Sequence, residues 1–158
     1  MDDLATILNT FRSESMFIQM AAGSALKAIG EPAVPGLIET LSAERDTVRA
    51  SAARLLGEIP ISDEALAAQV IDALTEATRD PFGPVRWYAA IGLRALAEHH
   101  PAEQAVPALI DLLEDDSFPH LSADRAINEQ AARTLQAIDT PQARQAVDAW
   151  WAEQDDWF

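Results

Sequence analysis

One pattern of apolar and polar positions recurs four times along the chain. Ile18–Ile29 (IQMAAGSALKAI), Val48–Ile59 (VRASAARLLGEI), Val85–Leu96 (VRWYAAIGLRAL) and Ile127–Ile138 (INEQAARTLQAI) share an apolar first position. They also share a small fifth (Ala22, Ala52, Ala89, Ala131), a Leu ninth (Leu26, Leu56, Leu93, Leu135) and an aliphatic twelfth. These offsets follow the turn of an α-helix and place the residues on one stripe. Successive copies begin 30, 37 and 42 residues apart, so the chain reads as a repeat array.

A second amphipathic segment precedes each copy. Asp2–Asn9 is short, and Pro32–Ser42 (PAVPGLIETLS) is clear, with a proline suited to the first helical turn. Asp63–Arg79 follows, with Ser62 as the expected N-cap. Pro101–Glu114 echoes the second segment, AVPALIDLL against AVPGLIETL, and Thr140-Pro141 opens a further helix toward VDAWWAEQ. The reading is a single all-α domain over residues 1–158, an α-solenoid of about four helical hairpins. Its repeats span 2–30, 32–60, 62–100 and 101–139, and a capping helix spans 140–156. One hairpin cannot bury its stripe alone, and stacking hairpins makes one continuous core. Gly23, Gly57 and Gly92 fall inside helices, where each costs up to about 1 kcal/mol against Ala. Close helix–helix approach is the reason to expect for them. Gly30 suits a helix C-terminus that turns to positive φ.

The pattern AVPxLIxxL, turn, VRxxAAxxLGxI resembles HEAT repeats, and more narrowly the HEAT-like repeats of phycobilisome lyases and their small bacterial and archaeal relatives. Val48, Arg49, Ala52, Ala53, Leu56, Gly57 and Ile59 match that pattern, as do Val85, Arg86, Ala89, Ala90, Leu93 and Leu96. The first copy departs at Ile18-Gln19 and the fourth at Ile127-Asn128. The resemblance implies a stack in which the second helices line a concave wall and the first helices the convex one. It implies no activity, because the matching residues pack helices.

A net charge of −15 with 11 basic residues excludes nucleic acid as the expected partner and disfavours anionic membranes. The acidity otherwise reads as solubility through self-repulsion or as an acidic functional surface. There is no Cys, hence neither disulfide nor thiolate chemistry. No run of 18 apolar residues and no basic-then-apolar leader is present, so the cytoplasm is the expected location. His99-His100 and His120 lack metal-ligand spacing. The scattered glycines form no phosphate loop, and no Ser lies in a GxSxG turn. No catalytic, cofactor or metal residue is assigned.

Chemistry that remains lies between the core positions of the second helices. Third, seventh and tenth positions should border the groove: Met20, Ser24, Lys27; Ala50, Arg54, Gly57; Trp87, Ile91, Arg94; Glu129, Arg133, Gln136. Every copy puts one cation there, Lys27, Arg54, Arg94 or Arg133, and Trp87-Tyr88 adds an aromatic pair. Trp and Arg are what binding hot spots favour. Arg49 and Arg86 either extend this row or tie the turns of adjacent repeats. The expected function is a non-enzymatic scaffold that binds a helix or acidic peptide of another protein. The alternative is a phycobilin-lyase-like protein whose groove arginines meet tetrapyrrole propionates; a third reading has open array ends pairing. The insertion Glu114–Ser122 is either a partner contact or a relaxed connection. Trp150 and Trp151 are expected to cover the last repeat, with Trp157-Phe158 folding back onto the body.

Overall fold

The computed structural model describes residues 3–120 and 123–155, so Trp157-Phe158 and the last two residues of the insertion lie outside it. The described residues are helical without strands. Four hairpins follow in order: α1 (Leu4–Phe11) with α2 (Met16–Ile29), α3 (Val34–Thr40) with α4 (Asp46–Glu58), α5 (Glu64–Ala77) with α6 (Gly83–Ala97), and α7 (Val106–Asp111) with α8 (Ile127–Ile138). A final helix, α9 (Pro141–Asp155), packs on α8 and α7.

Local chemistry sets the boundaries. Pro35 and Pro107 occupy the first turns of α3 and α7, where a missing N–H leaves no hydrogen bond broken. The segments Glu31–Ala33 and Glu103–Ala105 just before them are tighter 3-10 turns. Asp63, rather than the expected Ser62, caps α5, its carboxylate accepting from the Leu66 N–H at 2.7 Å. Ser62 instead donates through its N–H and its hydroxyl to Glu31 of the preceding repeat. Thr140 caps α9 as its sequence suggests, accepting from the Ala143 N–H. Gly30 ends α2 at φ 78°, and Asp139 ends α8 in the left-handed region at φ 56°, a conformation that Asp tolerates better than most side chains.

The stripe is the core. Leu26, Leu56, Leu93 and Leu135 are fully buried, together with Ala52, Ala89 and Ala131. Each leucine contributes about 1.5–3 kcal/mol of burial. In the second layer, α4 lies closely along α6 and α6 along α8, whereas α2 meets α4 more sparingly. Where α4 meets α6 there is a glycine on each side: a methyl at Gly57 would come within 2.7 Å of Gly92 Cα, and one at Gly92 within 2.7 Å of Leu74 Cδ1. Gly23 makes room for the buried Phe11 ring.

One expectation fails at the first repeat. Val48, Val85 and Ile127 are buried at the stripe's first position, but Ile18 is 47% exposed and Ile29 is exposed as well. The short α1 covers only part of α2, and no other described element lies over that side.

Candidate protein-binding groove

The groove row divides into paired and unpaired cations. Lys27 Nζ lies 3.0 Å from Glu58 Oε2, and Arg54 Nη1 lies 2.8 Å from Glu58 Oε1. Burial raises the Glu58 pKa, and the hydrogen bonds from Lys27 and Arg54 outweigh it, leaving it below the ordinary carboxylate value. Within the row, Lys27 and Arg54 therefore do not offer free positive charge. The Arg54–Glu58 spacing of four is a readable helix ion pair, and Glu58 is the acid that a reading of the row's cations alone leaves out.

At the other end the row is different. Arg94 on α6 is half-buried and Arg133 on α8 is exposed. Neither has a hydrogen bond or ion pair among the described residues, whereas each of the other nine Lys and Arg side chains does. Trp87 is half-buried against the core. Its ring stands edge-on to Tyr88 with centroids 5.4 Å apart and edge-on to His120 at 6.0 Å. The Trp87 indole N–H is buried without a hydrogen-bond partner among the described residues. Tyr88 is likewise half-buried and packs on the core. Ala50, expected to border the groove, is buried instead, because its methyl is too short to reach beyond the close-packed helices.

Arg49 and Arg86 leave the row altogether. Arg49 grips Asp80 of the next repeat through Nε at 2.8 Å and Nη2 at 3.0 Å, and also donates to the carbonyls of Ala43 and Glu44. Arg86 repeats the clasp on Asp115 at 2.7 Å and on the carbonyls of Asp80 and Pro81. Asp80 raises the Arg49 pKa. Burial acts upward on Asp115, and the bonds from Arg86 and Ser117 hold its pKa below the ordinary value. The clasp skips the first joint consistently: Gln19 replaces Arg, and Ala43 stands five residues before Val48 where Asp80 stands five before Val85. Asp115 thus gives the start of the insertion a structural task, while Phe118 in the same loop is exposed.

A family model of HEAT repeats matches residues 34–120 and 71–158. The chain belongs to the HEAT repeat family. No curated protein matches its sequence. Among solved structures it is similar to the complex of CpcE and CpcF of phycocyanin lyase from Nostoc sp. PCC7120, at 20% identity and a TM-score of 0.63. That match covers 96% of this chain but 64% of the other, so this HEAT protein spans less than two thirds of the lyase chain. It is also similar to a designed armadillo repeat protein in complex with the peptide (KR)4, at 17% identity and a TM-score of 0.63, covering 94% of this chain and 70% of that one. An engineered protein matches at 22% identity, with a TM-score of 0.63 and coverages of 95% and 68%. At these identities the likeness establishes the solenoid fold.

Among the described residues no group of three or more His, Asp or Glu is placed to hold a metal ion. His100 is occupied structurally, with Nε2 3.0 Å from the Ile61 carbonyl. No described helix is long and apolar enough to cross a membrane.

Proposed function

We propose that this HEAT protein is a non-catalytic module that receives an acidic helix or peptide of another protein on its second-helix layer. The contacts lie toward the α6–α8 end. The observation that carries this reading is the pair Arg94 and Arg133. In a chain with 26 carboxylates, these are the two cations left without a partner among the described residues, and both belong to the same row. Trp87, edge-on to Tyr88 and two turns before Arg94 in the same row, supplies an aromatic anchor, and Trp with Arg is a combination on which binding energy concentrates. Lys27 and Arg54 join only where an incoming carboxylate displaces Glu58. The second layer is packed more closely than the first, and a stack bends toward its closer-packed layer, which supports a concave surface there.

Affinity capture from the native lysate with wild type and with Trp87→Ala plus Arg94→Ala tests the assignment. The wild type should retain an acidic partner, more weakly as salt rises, and the double variant should lose it. Retention of the same partner by both proteins refutes the site. The likeness to a phycocyanin lyase complex supports a tetrapyrrole as the alternative occupant, its propionates on Arg94 and Arg133. Absorbance titration with a free bilin distinguishes the two: a red shift that Arg94→Ala abolishes favours the pigment.

A further inference from the structure

The joint between the first two hairpins is built differently from the others. At the second joint the Arg49 guanidinium holds two kinds of oxygen at once. One kind is the carbonyls of Ala43 and Glu44, six and five residues before it, and the other is the Asp80 carboxylate from the next repeat. At the third joint Arg86 does the same with the carbonyls of Asp80 and Pro81 and the carboxylate of Asp115. At the first joint the carbonyls in that register belong to Ser13 and Glu14, six and five residues before Gln19. The Gln19 amide nitrogen takes neither, since it is buried without a hydrogen-bond partner among the described residues. Arg45 reaches them instead from the second repeat, with Nη1 2.8 Å from the Ser13 carbonyl oxygen and Nη2 3.5 Å from that of Glu14. Each joint therefore has its guanidinium. Only the first lacks the carboxylate, because Ala43 stands in the place of Asp80.

A hollow of about 550 Å³ opens at this point, walled by Arg12, Glu39, Ala43, Glu44 and Arg45 among others. Its size falls within the range of about 300–1,000 Å³ that small-molecule sites occupy. Arg12 is a second cation without a carboxylate, its Nη2 donating to the Thr40 hydroxyl at 3.3 Å. Glu39 and Glu44 are exposed, as the two arginines are. Neither glutamate forms an ion pair with them or with any other described side chain.

We propose that this hollow binds a small zwitterion of the amino-acid type, with carboxylate on Arg45 and Arg12 and ammonium on Glu44 and Glu39. The internal repeat selects the carboxylate. It would complete on Arg45 what Asp80 completes on Arg49, through the charge-assisted bonds that guanidinium and carboxylate form. The two glutamates select the ammonium. A simple anion meets two carboxylates in the same hollow, and a simple cation meets two guanidiniums. A ligand of both signs leaves neither pair opposed.

Amide NMR shifts followed through a titration with L-glutamate test this site. The wild type should bind with a dissociation constant of about 1 mM or tighter, with shifts at Ser13, Glu14, Ala43 and Glu44. Glutarate, which has the two carboxylates without the ammonium, should bind at least about threefold more weakly. Arg45→Gln should weaken glutamate about tenfold or more, and Arg144→Gln, an exposed arginine at the other end, should change nothing. Ala43→Asp carries the missing carboxylate in the chain itself. It should abolish glutamate binding and raise the melting temperature, two effects that a damaged fold does not produce together. A wild type without saturable binding below about 10 mM overturns the proposal. So does glutarate binding as tight as glutamate, an affinity unchanged by Arg45→Gln or lost with Arg144→Gln, or an Ala43→Asp protein that still binds or melts lower. The groove variants have no part in this titration, so this site and the groove fail separately.

Discussion

At the C-terminal end of the stack α9 lays Ala143, Val147 and Trp150 on the last hairpin and keeps mainly polar side chains outside, although Trp151, expected to cover the last repeat with Trp150, is 46% exposed. At the N-terminal end α2 turns methionine, phenylalanine and isoleucine outward. Both ends carry the same repeat stripe. Ile127 and Ile18 even hold the same place in it with the same side chain, and one is fully buried while the other is half exposed. The stripe thus specifies which residues are able to pack, and the neighbouring hairpin decides which of them do.

The sharpest way to break this comparison is to truncate that one isoleucine at each end. Ile127→Ala should cost about 2–5 kcal/mol, the range for a buried large-to-small change. Ile18→Ala should cost less than about 1 kcal/mol, because much of its side chain meets water already. Urea denaturation measures both. Equal losses would mean that the two ends are packed alike.

A smaller difference is expected between glycines. Gly57→Ala drives a methyl into the Gly92 backbone, and helices do not part without disturbing α4 and α6 together. A net loss of about 1–3 kcal/mol should remain after the helix-propensity gain of about 1 kcal/mol. At Gly23 the methyl would sit 3.3 Å from an atom of the Phe11 ring and 3.6 Å from Leu55. A shift of a few tenths of an ångström in the Phe11 ring accommodates it, so Gly23→Ala should fall within about 1 kcal/mol of wild type. Thermal melting of the two variants side by side checks the ordering.

The fold was legible because helical periodicity is a local property: Leu26, Leu56, Leu93 and Leu135 declare their face without reference to anything distant. The glycines were legible for the same reason, since an interior Gly in a good helix needs a packing explanation. What covers a stripe is not local, and Ile18 reads the same as Val48 until the neighbour is seen. The groove fared likewise. Arg54 and Arg94 look equivalent in register, and only the reach of Lys27 and Arg54 to one shared Glu58 separates them. Asp80 and Asp115 were hidden as clasp partners because the insertion moves Asp115 away from its expected spacing before Ile127.

That clasp gives the next prediction. Arg86→Ala leaves Asp115 partly buried with its Ser117 bonds but without its cation, and should cost about 1–3 kcal/mol. The first joint, with Gln19 and Ala43 in the corresponding places, offers nothing comparable to lose: Gln19→Ala should stay below about 1 kcal/mol, by chemical denaturation, since its amide nitrogen already lacks a partner among the described residues.

Acid should act on the same clasp, and more weakly on the groove. The folded pKa of Asp115 lies below its ordinary 3.8 and that of Glu58 below its ordinary 4.5. As pH falls, the unfolded chain takes up these protons before the folded one, so the stabilisation is complete above the ordinary values and disappears as pH drops through the lower folded ones. Glu58 is a third exposed and its partners more so; its two ion pairs should therefore be worth less than about 1 kcal/mol together. Glu58→Gln should lose that small amount at neutral pH and nothing at the acid end, where wild-type Glu58 is itself neutral. Denaturation midpoints for the two proteins should converge as pH falls. A gap that persists in acid would show that Glu58 acts through packing, and Lys27 and Arg54 would then have no electrostatic reason to stay bound to it rather than to a partner.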